Sequence, residues 1–90
     1  MTEIYCIVTG EVQNVRYRDY DQVSAGTLGI TGWIKNLPDG TVAVCAQGTP
    51  DTLKDFVEYL HEGSLKAKVE GVSVEWRTTK RAHDDFSIRY

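Results

Sequence analysis

The order of predicted elements along this chain indicates an α+β fold, with two helices covering one face of an antiparallel sheet. Two strand-like runs each lead into a helical segment, and a Pro-Asp-Gly turn joins the two middle strands as a hairpin. The resulting order is β-α-β-β-α-β, followed by one short C-terminal strand. Right-handed crossovers joined by a hairpin lead to the split βαβ, or ferredoxin-like, sandwich.

The first half of the chain supplies a strand, a helix and a hairpin. Residues 3–10 are rich in Ile, Val and Tyr and predict a buried strand. Residues 18–28 predict a helix that ends at Gly29, although their apolar spacing is poor. Strands over 30–36 and 41–48 flank the turn Leu-Pro-Asp-Gly, which is typical of a hairpin.

A stripe of apolar residues at helical spacing marks the second helix. Its members recur at i, i+3, i+4 and i+7: Leu53, Phe56, Val57 and Leu60. Thr49 is the expected N-cap, Pro50 the first helical residue and Gly63 the end. Alternating residues over 69–76 and 86–90 then predict a half-buried strand and a short terminal strand at an edge of the sheet.

Length, charge and cysteine content narrow the class of protein. Ninety residues with 41% hydrophobic content predict one domain over 1–90. The net charge of −3 argues against partners such as nucleic acid or an anionic membrane, and no apolar run approaches the ~18 residues of a membrane span. Cys6 and Cys45 are expected to be reduced core thiols. We therefore expect a cytoplasmic protein, and nothing in the sequence requires more than a monomer.

The segment Thr-Gly-Glu-Val-Gln-Asn-Val-Arg-Tyr-Arg-Asp-Tyr, residues 9–20, joins the first strand to the first helix. A loop that enters a helix N-terminus presents unpaired backbone N–H groups, which together with the helix dipole favour an anion. Arg18 can complete such a site with a bidentate guanidinium, while Arg16 is expected to face solvent. In the alternative interpretation both arginines are ordinary surface charges, paired with Asp19 and Asp21.

The rest of the chain shows no catalytic pattern. No serine has a recognisable His-Asp arrangement, His61 and His83 are isolated, and the acidic residues lack metal-ligand spacing. We therefore expect neither a metal nor another cofactor. An enzyme built from these residues works by positioning and electrostatics, which suits phosphoryl transfer from a good leaving group.

Two segments together resemble the signatures of the acylphosphatase family. Residues 10–18, Gly-Glu-Val-Gln-Asn-Val-Arg-Tyr-Arg, resemble its first signature, G-x-V-Q-G-V-x-[FY]-R, and residues 32–48 resemble its second. The terminal Phe-Ser-Ile also fits, so the resemblance covers essentially the whole chain. It implies a metal-free hydrolase that cleaves the carboxyl–phosphate bond of acyl phosphates, with acyl phosphate and phosphate as its small-molecule ligands.

The resemblance also implies roles for particular residues. Arg18 would hold the phosphate within a cradle of backbone N–H groups, the phosphate-binding loop: Gln13, Asn14, Val15, Arg16, Tyr17 and Arg18. Asn36 would orient the attacking water, because an amide is not a base at neutral pH. Without the resemblance, Asn36 would be interpreted as a cap of the following turn. Tyr17 fits the pattern and is expected to pack in the core.

The chain departs from the family pattern at Asn14, where glycine is usual. Asparagine tolerates the left-handed backbone region at a cost near ~1 kcal/mol, so we expect the loop to keep its path while the side chain weakens the anion site. This departure favours one alternative, an acylphosphatase-like module that binds an anion or a partner with weak or no turnover. An RNA-recognition domain of similar topology is disfavoured, because strand 41–48 carries neither an aromatic nor a basic residue.

Overall fold

A computed structural model describes residues 2–79 and 81–90 of the chain. It contains the elements that the sequence predicts, in the predicted order. These are β1 (Thr2–Glu11), α1 (Tyr17–Leu28), β2 (Thr31–Asn36), β3 (Val42–Gly48), α2 (Pro50–Glu62), β4 (Lys68–Thr78) and β5 (Phe86–Arg89). No helix among the described residues is long and apolar enough to cross a membrane.

The five strands form a mixed sheet in the order β4-β1-β3-β2-β5. The first four strands pair antiparallel, which confirms the ferredoxin-like prediction, and β5 adds to the edge beside β2 in the parallel direction. β1 and β2 run parallel with β3 between them. Asn36 pairs with Val42, and Val42 pairs with Val8, so the ends of β1 and β2 lie at the same edge of the sheet.

The core lies between the sheet and the helices. Ile4, Cys6 and Val8 alternate along β1 toward this layer and are fully buried with the apolar residues of α2. Cys45 is also buried, but it pairs directly with Tyr5 and so lies on the opposite face of the sheet from Cys6. Both thiols are free, as expected, and burial raises the pKa of Cys6 to about 12.

α1 has a poor apolar stripe because it buries small and polar residues. Its buried positions include Asp21, Ser24 and Ala25, whereas Val23 is 70% exposed. The Ser24 hydroxyl donates to the Tyr20 carbonyl within the helix, which satisfies that buried group. The helix ends at the predicted glycine, Gly29, in the left-handed conformation.

α2 begins and ends as the sequence predicts. The Thr49 side chain accepts a hydrogen bond from the Thr52 backbone N–H, Pro50 opens the helix and Gly63 ends it. The C-terminal strand differs from expectation, because the alternation of buried residues ends at Ile88. Tyr90 lies outside β5 and is 95% exposed, so it is free to contact the loop described below.

Candidate active site

The loop between β1 and α1 contains two residues with positive φ. Asn14 has φ 60°, which confirms that asparagine keeps the path expected for glycine, and Arg16 has φ 61°. The positive φ of Arg16 was not predicted, because the family pattern allows any residue at that position. Left-handed residues next to ordinary ones turn successive backbone N–H groups toward one side, the geometry of an anion-binding nest.

The N-terminus of α1 opens into this nest without a side-chain cap. Arg16 occupies the N-cap position and its side chain makes no capping hydrogen bond. The first N–H groups of the helix therefore keep their donor capacity, and the helix dipole adds partial positive charge. This arrangement attracts an anion to the loop.

Arg18 is held at the entrance of the nest by the C-terminus of the chain. Its Nη1 donates to the Arg89 carbonyl oxygen at 3.1 Å, and its Cζ lies 4.7 Å from the centroid of the Tyr90 ring. Hydrogen bonding and cation–π contact fix the plane of the guanidinium and leave its other N–H groups available. A cavity of about 280 Å³ lies between Arg18, Arg16, Asn14 and Tyr90.

Side-chain hydrogen bonds of Gln13 and Tyr17 help to tie the loop to the rest of the fold. Gln13 Nε2 donates to the carbonyl oxygens of Leu37 and Thr41, both at 2.8 Å, and so connects the loop to the β2–β3 turn. The Tyr17 hydroxyl donates to the Leu60 carbonyl oxygen at 2.7 Å. Tyr17 is 1% exposed, which confirms that it packs in the core. The loop is therefore held in place by hydrogen bonds to the β2–β3 turn and to α2.

Asn36 lies at the end of β2, on the same edge of the sheet as the loop. Its Oδ1 atom is buried and has no hydrogen-bond partner in the part of the chain that the structure describes. The interpretation of Asn36 as a turn cap is wrong, because the Asp39 carboxylate caps the turn by accepting from the Thr41 N–H at 3.0 Å. Asn36 does not line the 280 Å³ cavity, but its chain neighbour Leu37 accepts a hydrogen bond from Gln13 of the loop.

The two arginines are not paired with the acidic residues of α1. Among residues 2–79 and 81–90, an ion pair joins only Arg77 and Glu3, on the other face of the sheet. Asp21 is fully buried, and within residues 2–79 and 81–90 neither of its carboxyl oxygens has a hydrogen-bond partner. The predicted pairing of Arg16 and Arg18 with Asp19 and Asp21 is therefore wrong.

A second polar cluster, absent from the sequence prediction, lies on the face of the sheet away from the helices. Potential metal-ligand atoms of Glu3, Cys45 and His83 lie within 4.8 Å of one another. The Arg77 guanidinium, however, lies 2.7 Å from the Glu3 carboxylate and 4.0 Å from Cys45 Sγ. Burial disfavours the charge on Glu3, but hydrogen bonds from Gln47 and Arg77 outweigh it and lower its pKa. A guanidinium thus already supplies the cation of this cluster.

Comparison with known proteins identifies relatives of the whole chain. A family model described as Acylphosphatase matches residues 4–88. A curated acylphosphatase of Salinibacter ruber is 39% identical over 82 residues, which cover 91% of this chain and 86% of the relative. One of Thermus thermophilus is 42% identical over 76 residues, covering 84% and 86%. The crystal structure of acylphosphatase from Bacillus subtilis superposes with a TM-score of 0.97 at 38% identity and covers all of both chains.

Proposed function

This chain belongs to the acylphosphatase family, and from that premise we propose that it hydrolyses the carboxyl–phosphate bond of acyl phosphates. The observation that carries the proposal is the nest beside a fixed, unpaired arginine. Phosphate oxygens would accept hydrogen bonds from the backbone N–H groups of residues 13–18, and the Arg18 guanidinium would bind two of them. Both groups stabilise the charge that the transferring phosphoryl group carries in the transition state.

The unpaired Oδ1 of Asn36 supports a role in orienting the attacking water. A buried acceptor without a partner is costly, by about 1–3 kcal/mol, and a water molecule that donates to it removes that cost. Water held there would attack phosphorus as the bond from phosphorus to the acyl oxygen breaks. The electron pair of that bond leaves with the carboxylate, and the proton of the water passes to phosphate or solvent.

The proposed reaction needs no general acid, because the leaving group is a carboxylate that is stable at neutral pH. It needs no general base of high pKa either, since the mixed anhydride is reactive and positioning supplies much of the acceleration. The charge of the phosphoryl group is met by Arg18 and the nest. The proposal therefore includes no metal ion and no other cofactor.

The function is tested by the hydrolysis of benzoyl phosphate in a buffer that contains a chelator. We expect turnover by the native chain, and a fall of about 10²–10³ in kcat in Asn36→Ala with little change in the inhibition constant of phosphate. Arg18→Ala should weaken both phosphate binding and turnover, and Arg18→Lys should recover only part of each, since an ammonium cannot bind bidentately. Near-normal turnover in Asn36→Ala would show that the water is positioned by another group.

The same assay distinguishes the second candidate function, an anion- or partner-binding module with weak or no turnover. The exposed Asn14 side chain at the mouth of the cavity is the observation that favours it. A native chain without activity, together with an active Asn14→Gly variant, would mean an intact scaffold with an obstructed nest. Binding of phosphate without turnover in both would support the module.

We also propose that the chain acts as one domain over residues 1–90, as a monomer, in the cytoplasm. One core joins both helices to the sheet, including the edge strands through Phe86 of β5 and Val72 and Val74 of β4, and this supports a single folding unit. Two buried free thiols are in keeping with a reducing compartment. The net charge of −3 supports the absence of nucleic-acid and anionic-membrane partners. Sedimentation at several protein concentrations tests the monomer directly.

A further inference from the structure

We propose that the acyl group of the substrate binds in an apolar groove next to the phosphate-binding loop, and that Leu65 in this groove sets the preference for apolar acyl groups. The inference rests on the proposed function, because it places the other half of the same substrate. The groove has a volume of about 560 Å³, within the ~300–1,000 Å³ that small-molecule sites occupy. It lies between the loop, the first turns of α1 and the connection from α2 to β4.

The groove adjoins the proposed phosphate site directly. Asn14 and Arg16 line both the 280 Å³ cavity and the 560 Å³ groove. A phosphoryl group bound in the cavity would therefore have its substituent at the boundary between the two. One continuous site would thus accommodate a polar phosphate and the group bonded to it.

The groove lies on the side from which the leaving group must depart. Displacement at phosphorus is in line, so the acyl oxygen leaves opposite to the attacking water. In the strand order β4-β1-β3-β2-β5, Asn36 ends β2, whereas the groove is built by the segment that leads into β4. The loop that follows β1 lies between them. Water at Asn36 thus faces phosphorus from one side, and the acyl group is directed toward the groove on the other.

The groove wall favours an uncharged, apolar acyl group. The Leu65 side chain is fully exposed, and Val15 and Tyr20 add apolar surface beside it. Covering exposed apolar surface is favourable in proportion to the area removed from water. The charged residues at the groove, Arg16, Glu62 and Lys66, have mixed signs and do not select one charge on the acyl group. An aromatic ring or a short aliphatic chain is the ligand that this surface fits.

The groove is formed before any ligand binds. The Ser64 hydroxyl donates to the Val15 carbonyl oxygen at 2.7 Å and fastens the α2–β4 connection to the loop. The Ala67 N–H donates to the Ser64 carbonyl oxygen at 3.0 Å, which closes a turn around Leu65. Because both walls are fixed, the acyl group gains contact without the entropic cost of ordering a loop.

Leu65→Ser tests the groove through a ratio of two substrates. We expect the ratio of kcat/KM for benzoyl phosphate to kcat/KM for acetyl phosphate to fall about three- to tenfold, since an apolar contact is lost only to the larger group. The inhibition constant of inorganic phosphate should stay the same, because phosphate does not reach the groove. Leu65→Met should retain the native ratio. Val23→Ser is the matched control, an exposed apolar residue of α1, and should leave both substrates unaffected.

A binding measurement separates failure of the groove from failure of the proposed function. Benzylphosphonate should bind the native chain more tightly than methylphosphonate, and Leu65→Ser should remove that difference. Equal affinities in the native chain, or a substrate ratio that Leu65→Ser leaves unchanged, would overturn the groove while turnover still supports the phosphatase. Selective binding of benzylphosphonate by a chain that hydrolyses neither acyl phosphate would support the groove and refute the activity.

Discussion

Asp21→Asn should remove most of the pH dependence of stability that this protein shows between weakly acidic and weakly alkaline conditions. The Asp21 carboxyl group is fully buried in α1, and neither oxygen has a hydrogen-bond partner among the described residues. Burial raises its pKa from 3.8 to about 8. The Tyr17 hydroxyl has a single proton and donates it to the Leu60 carbonyl oxygen, so it cannot serve a carboxylate.

The sign and size of the effect follow from this raised pKa. The folded state keeps the Asp21 proton over a range in which the unfolded chain has lost it, so stability falls as pH rises from about 4 through about 8. A difference of about four pKa units at ~1.36 kcal/mol each gives a ceiling of ~5 kcal/mol. A domain of this length has a free energy of unfolding of roughly 5–13 kcal/mol, so the loss is a large fraction of the total.

The assay is urea unfolding of the native chain, Asp21→Asn and Asp19→Asn at about pH 5, 7 and 9. Because the unfolded carboxyl group is already largely ionised at about pH 5, Asp21→Asn should exceed the native chain by about 1–2 kcal/mol at the lowest pH and by several kcal/mol at the highest, since an amide cannot ionise. Asp19 is exposed on the same helix, so Asp19→Asn should follow the native pH profile. A difference between native chain and Asp21→Asn that does not change with pH would refute the reasoning.

Four further substitutions test the fold and the loop. A Cβ at Gly32, which has φ +141°, would overlap a carbonyl oxygen of the adjacent strand, so Gly32→Ala should destabilise the fold by several kcal/mol. A Cβ added at Gly26, in the middle of α1, would meet nothing within 4 Å, so Gly26→Ala should stabilise the fold by up to ~1 kcal/mol. Thermal unfolding of the two variants compares these effects. Asn14→Gly should bind phosphate more tightly and hydrolyse benzoyl phosphate faster, because it removes bulk from the nest; unchanged constants would contradict this. Tyr90→Ala removes the cation–π contact on Arg18 and should raise the inhibition constant of phosphate a few-fold without changing the unfolding midpoint.

The parts of the fold that the sequence predicted well are those whose signals are local. α2 has an apolar stripe, an N-cap at Thr49 and a terminal glycine within one short segment, and each was found where expected. The positive φ of Asn14 was also predictable, because few residues besides glycine tolerate that conformation. The positive φ of Arg16 was not, since arginine shows no such preference and only closure of the loop against α1 requires it.

The features that sequence reasoning missed join residues far apart in the chain. Burial of Asp21 was hidden by its place in a helix of polar composition, and it depends on how α1 packs against the sheet. Tyr90 was expected to alternate inward as part of the last strand, but that strand ends first and leaves the ring to stack on Arg18. The cluster forms because the sheet brings Glu3 near Cys45, and the segment before β5 carries His83 to them.

The element order, the hairpin, the family, and Arg18 and Asn36 as candidate site residues could be predicted from the sequence, because turns, caps, apolar periods and signature spacings are local properties of the chain. The tertiary structure decided what lies around them. The direction of β5, the fixing of Arg18 by the C-terminus and the groove at Leu65 depend on strand order and on which helix face is buried. Those are settled by packing over the whole molecule, and no short stretch of sequence carries them.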